Sequence, residues 1–167
     1  MKKIIITVIS AFLFSTASSQ SSNQYNAEAL AKIAKKDYRG AIIECNKALE
    51  LNPKNKLAYS LRAESKLYLD DYTGAISDYN KVLEINPNEV RAYYKRAESK
   101  FNLEDYRGAI EDCNIAIDLD PNEKYAYWYR GFSRIILGQK DNGCLDLSKA
   151  GELGIEEAYS SIKQYCN

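Results

Sequence analysis

Four cysteines are the most reactive side chains in this 167-residue chain, and it contains no histidine. Without histidine, Ser-His-Asp, Cys-His and His-metal chemistry within one chain are excluded. Cys45 and Cys113 lie 68 positions apart, and Cys144 and Cys166 lie 22 apart. No pair has the two-residue spacing of a thiol–disulfide catalyst. Adjacent acids at Asp70-Asp71 and Glu104-Asp105 offer carboxylates, but not the converging ligands that calcium or glycoside hydrolysis requires. They read as turn acids. No metal site, no cofactor and no enzymatic activity are expected.

Charge and composition narrow the class further. There are 23 basic and 23 acidic residues, without the basic excess of a nucleic-acid-binding protein. Hydrophobic residues at 46% and charged residues at 28% describe a chain that folds.

The start of the chain reads as a secretory signal peptide over residues 1–19. Met1-Lys2-Lys3 is a positive n-region, Ile4 to Phe14 is an apolar run, and Ser15-Thr16-Ala17-Ser18-Ser19 is a small-residue end. The run is well short of the ~20 residues of a membrane span. Cleavage is expected after Ser19, with Ala17 as the alternative. Removal leaves 148 residues, 21 basic and 23 acidic, at net charge −2. The expected location is exported, in a bacterial periplasm or secreted, with no stable membrane span.

Beyond the leader the sequence repeats every 34 residues. Pro53, Pro87 and Pro121 mark the period, as do Tyr59, Tyr93 and Tyr127. Asp37-Tyr38-Arg39-Gly40-Ala41-Ile42 recurs at Asp71 to Ile76 and at Asp105 to Ile110. A fixed period of this length means one supersecondary unit stacked several times. The expected units are 22–55, 56–89, 90–123 and 124–157. Each reads as two helices. Ala41, Ile42, Cys45, Ala48 and Leu49 form a stripe at helical period, and the proline stops each second helix. Small residues at Ala29, Ala63, Ala97 and Gly131 are expected to face Ala41, Ala75, Ala109 and Gly143. Residues 155–166 read as a capping helix with Ile155, Ala158, Tyr159, Ile162 and Tyr165 on its apolar side.

The period, the paired small residues, the Asp-Tyr-x-Gly-Ala-Ile segment and the closing proline resemble tetratricopeptide repeats (TPR). The resemblance covers residues 22–157 and implies an all-α fold, an α-solenoid of about four helix-turn-helix repeats with a C-terminal capping helix. It also implies a concave groove lined by the first helix of each repeat, where members of the family mostly bind peptides or proteins. Carried onto this sequence, that face holds Asn26 and Leu30, then Ser60 and Glu64, then Tyr94 and Glu98, then Trp128 and Phe132. Arg91, Phe101, Tyr125 and Ile135 lie nearby. The groove is expected to be acidic in the middle and aromatic at its end. One TPR subtype binds the C-terminal carboxylate of heat-shock chaperones through inward Lys, Asn and Arg. Glu64 and Glu98 argue against that subtype and for a basic segment.

Tyr125 to Tyr129 is too dense a run for one buried face, since five consecutive residues cover the helix circumference. For Trp128 and Phe132 two readings stand: anchors for a partner, or rings packed under the end helix. The ladders Arg62, Arg96, Arg130 and Glu44, Asp78, Asp112, Asp146 are expected to pair between repeats on solvated faces, at ~0–1 kcal/mol each.

Cys45 and Cys113 occupy equivalent sites two repeats apart, on the order of 20 Å by helix spacing. A disulfide needs Cα atoms within ~7 Å, so both read as buried small hydrophobes. Cys144 and Cys166 lie about equally far from a turn near Gly154, ~15–18 Å along antiparallel helices. They are the candidate disulfide, and two unpaired thiols are the alternative.

Three functions follow in order. The first is an exported scaffold that binds protein or peptide segments in its groove. The second is a structural or assembly subunit of an envelope complex, acting through its convex face or by self-association. An enzyme comes last, because no nucleophile has a visible base.

Overall fold

The computed structural model describes residues 21–166, so the expected signal peptide lies outside the described residues. Helices and turns account for all regular structure among them, and none of these helices is long and apolar enough to cross a membrane. The fold class is the all-α solenoid of helix-turn-helix repeats. The chain divides into two compact units at Asp70 and Asp71.

The first unit holds α1 (residues 21–34), α2 (Tyr38–Leu51) and α3 (Lys56–Leu67). Ala29, Ala41, Cys45 and Leu61 form one buried cluster, with Ile33 packed on it. Ala48, Leu49 and Ala58 form another, covered by Tyr25 and Tyr59. The second unit holds α4 (Tyr72–Ile85), α5 (Val90–Asn102), α6 (Tyr106–Leu119), α7 (Lys124–Ile136), α8 (Lys140–Glu152) and α9 (Glu157–Tyr165). Each of these helices packs on the next, and α5 also touches α7. The cap helix starts two residues later than expected.

Local chemistry explains the repeated motif. The carboxylates of Asp37, Asp71 and Asp105 accept the amides of Gly40, Gly74 and Gly108 at 2.9, 2.9 and 3.0 Å, which caps α2, α4 and α6. A Cβ on any of these glycines would meet that carboxylate at 2.2 Å, so the carboxylate would have to shift to make room. Before each of these caps, Lys36, Asp70 and Glu104 take φ of 60°, 59° and 62°. The fourth turn puts Gly138 at the equivalent place, with φ 82°. At the far end, Asn52, Asn86 and Asp120 turn extended, and each still donates its amide back into its helix.

The charge ladder differs from expectation. Arg96 on α5 grips Asp112 on α6 with two bonds, at 2.8 Å (Nε) and 2.5 Å (Nη2). Arg130 grips Asp146 in the same way, at 2.9 and 2.7 Å. Each pair therefore joins the two helices of one repeat. The link back to the preceding helix is Arg to asparagine: Arg96 to Asn80 and Arg130 to Asn114, at 2.6 and 2.7 Å. The acids are also buried, Asp112 at 2% and Asp146 at 5% exposure, and each takes a second cation, Lys100 and Arg134. Helix packing turns this face inward, so the low value of a surface ion pair does not apply.

Candidate functional site

The dense run on α7 resolves by direction. Ala126 is fully buried among Ala97, Ala109, Cys113 and Ala116. Tyr129 packs on that same cluster. Tyr127 and Trp128 pack on Ala150, Ile155 and Ala158. Tyr125 is left 43% exposed. One helix thus spends its rings on two cores and presents one to solvent, as five consecutive positions on a helix must.

Around Tyr125 the second unit forms an open cleft of about 380 Å³. Its walls are Lys124, Tyr125, Trp128 and Tyr129 of α7, facing Gly154, Ile155 and Glu157 of the α8–α9 turn. Tyr94 of α5 extends the aromatic surface by stacking on Tyr125, with centroids 5.6 Å apart. Glu123 caps α7 by accepting the Tyr125 amide at 3.0 Å. Lys124 sits 5.3 Å from the Tyr125 ring centre and donates to the Gly154 carbonyl at 3.4 Å, tying the two walls together.

Burial tunes these groups. It pushes the Tyr94 phenol up to about 12, and nearby Glu123 adds to the effect. Tyr129 is raised further, by burial first and then by Glu98, to which its hydroxyl donates. Burial also raises the Glu123 carboxyl. The site is made of phenols, an indole and Ile155, with Lys124, Glu157 and the Gly154 backbone adding polar surface. A surface of this make-up offers ring stacking together with polar bonds to its lining.

The expected groove residues divide between the two units. In the first unit, Ser60 is half-buried on α3 and donates its hydroxyl to the Lys56 carbonyl at 3.1 Å. Glu64 is half-buried on the same helix. Asn26 is corrected outright: it is 3% exposed, and its amide donates to Asn55, which in turn bonds Ser22. A polar network between α1 and the start of α3 draws it inside.

In the second unit, Tyr94, Tyr125 and Trp128 meet at the cleft, and Arg91 is exposed one turn before Lys95. Glu98 pairs with Lys95 at 2.8 Å. Phe132 is half-buried, edge-on to Trp128 at 4.8 Å and to Tyr165 of α9 at 5.8 Å. For Phe132 the structure realises the packed arrangement. The cap's apolar stripe is only partly inward: Ile155 and Ala158 are buried, while Tyr159 and Tyr165 are 60% and 41% exposed.

Lys124, Tyr129, Ile155 and Glu157 were absent from the expected site. Tyr129 carried a signal in the aromatic run. Ile155 and Glu157 carried none, because they reach the cleft from about 30 positions away.

Cys144 on α8 and Cys166 at the end of α9 are joined by a disulfide, with Cα atoms 5.9 Å apart. Cys45 and Cys113 are fully buried. Burial pushes the Cys113 thiol up to about 12, which leaves it no thiolate for chemistry at neutral pH.

Comparison with known proteins gives one consistent result. A family model described as tetratricopeptide repeat matches residues 25–55 and 90–123, and one described as TPR repeat matches residues 66–103. Among curated proteins, no sequence matches this chain. Of solved structures, a crystal structure of MamA superposes with a TM-score of 0.78 at 23% identity, covering 86% of this chain and 79% of that one. The first TPR of Spaghetti (RPAP3), bound to the HSP90 peptide SRMEEVD, gives 0.70 at 23% identity, covering 72% and 95%. The Arabidopsis OM64 TPR domain gives 0.68 at 26% identity, covering 70% and 97%.

Proposed function

The chain belongs to the tetratricopeptide repeat family, and from that premise we propose that it is an exported scaffold that seats a protein or peptide segment in the α7 cleft. The TPR fold is a protein-interaction scaffold, and the RPAP3 domain holds a peptide. The HSP90 sequence of that peptide is not carried over. The observation that carries the reading is the meeting of Tyr125, Trp128 and Tyr129 at one open cleft, with Tyr94 stacked on Tyr125 beside it. Rings held half-buried on a helical frame, with Tyr125 exposed among them, lose little conformational freedom on binding, which makes them efficient anchors. Export rests on the leader over residues 1–19 and fits a chain that carries a disulfide.

The test is affinity capture from the protein's own exported fraction, with Tyr94→Ala/Tyr125→Ala run beside the wild type. A partner held by the wild type and lost by the variant, with the variant's melting curve unchanged, supports the cleft. Equal capture by both moves recognition to another surface.

Assembly through the outer surface is the second reading, and it has its own observation. Leu145 is 70% exposed and Tyr159 60%. Light scattering at high concentration separates the two, since a pure monomer removes self-association.

A further inference from the structure

Helix α9 has nine residues, fewer than the about 12–15 that an isolated helix needs in water. It therefore depends on what docks it, and the docking is uneven. At its start, Ile155 and Ala158 are buried against Ala150. In its second half, Ser160, Lys163, Gln164 and Tyr165 are exposed, while Ser161 and Ile162 are half-buried. That half is tied to α7 by the Tyr165 ring on Phe132, and to α8 by the Cys144–Cys166 disulfide. Phe132 in turn touches Trp128 at 4.8 Å and Phe101 at 6.5 Å, and Phe101 touches Tyr129 at 5.8 Å. The second half of α9 thus lies over the continuation of the cleft's aromatic wall.

We propose that the Cys144–Cys166 disulfide is a redox latch on this lid. Oxidised, it holds the second half of α9 over Phe132. Reduction by a dithiol frees that half while Ile155 and Ala158 keep the first half docked, and Phe132 then becomes accessible beside half-buried Trp128. The exchange balances. One thiolate of the dithiol attacks one sulfur of the cystine, and the displaced sulfur leaves as thiolate and takes a proton. The dithiol's second thiol attacks the mixed disulfide, closes its own disulfide and releases the other cysteine as a thiol. Two electrons and two protons pass to Cys144 and Cys166. Both residues are partly exposed, so a soluble dithiol can reach them. The lid movement stands on the packing alone; its effect on a partner rests on the cleft being the binding site.

Trp128 is the sole tryptophan and serves as the reporter. The experiment records its emission, its acrylamide quenching and the far-ultraviolet helix signal before and after dithiothreitol. Alkylation and mass analysis establish that Cys144 and Cys166 are reduced. The expected result is a red shift and at least a twofold rise in the quenching constant, with helix loss no larger than α9 itself. Cys144→Ser/Cys166→Ser should match the reduced spectrum and ignore dithiothreitol. Unchanged quenching in the alkylated protein overturns the latch, because α9 then docks without its bond. Loss of helix far beyond nine residues also overturns it, because the bond then holds the core rather than a lid. If the lid moves but a captured partner binds both forms alike, the latch stands and the cleft assignment falls.

Discussion

Gly143 lies so close under Gly131 that a Cβ built on it would stand 2.6 Å from the Gly131 carbonyl oxygen. The equivalent positions of the third repeat are Ala97 and Ala109, both fully buried in one cluster. The fourth helix pair therefore packs too tightly at this point for even a methyl group. Gly143→Ala is expected to cost about 1–3 kcal/mol through overpacking. Gly138→Ala has open space around it and pays only for its φ of 82°, about 1–2 kcal/mol. Urea unfolding of both variants checks the pair; a Gly143→Ala cost well below about 1 kcal/mol would mean that α7 and α8 can move apart.

The Arg–Asp pairs give a second test. Asp112→Ala strands Arg96 and Lys100 on a buried face, so a loss of about 3–5 kcal/mol is expected. Lys81→Ala breaks an exposed pair with Glu84 and should cost no more than about 1 kcal/mol. Chemical denaturation of the two variants separates a structural clamp from a surface contact.

Alkaline pH should unfold the protein in a defined window. The folded-state values of Tyr94 and Cys113 are both raised to about 12, from 10.0 and 9.0. The folded state holds these protons more tightly than the unfolded chain does. That stability is complete below pH 9 and is lost as pH rises towards 12. Tyrosine absorbance followed beside far-ultraviolet signal should show some phenols ionising only as helix is lost. Tyr94→Phe should remove part of that pH dependence, and smooth titration of all phenols near pH 10 in folded protein would contradict it.

Processing is checked by mass. The exported protein is expected to begin at Gln20, or at Ser18 if Ala17 ends the leader. An intact mass that retains Met1 in an exported fraction would remove the signal-peptide reading.

Much of the fold was legible because the signals are local. Aspartate is a favoured helix cap, and Asp37, Asp71 and Asp105 cap within their own turn. A proline after Asn52, Asn86 or Asp120 stops a helix without help from elsewhere. The left-handed turns were less visible, because Lys36, Asp70 and Glu104 stand where glycine would have announced them. The site was legible only in outline. The density of rings over Tyr125 to Tyr129 showed that some must leave the core, but not which.

The sequence by itself therefore determined the repeat, its helix pairs and the aromatic character of its last first-helix. These follow from period, capping and steric rules that act over a few residues. Tertiary structure decided which rings face the cleft, because Ile155 and Glu157 arrive from another helix turn. It placed Asn26 inside through a bond to Asn55, and it paired Arg96 with Asp112 across one repeat rather than between two. It also brought Cys144 beside Cys166. Each of these outcomes depends on the rotation of one helix against its neighbour. That rotation is set by the whole packed surface and leaves no signature at the residues it brings together.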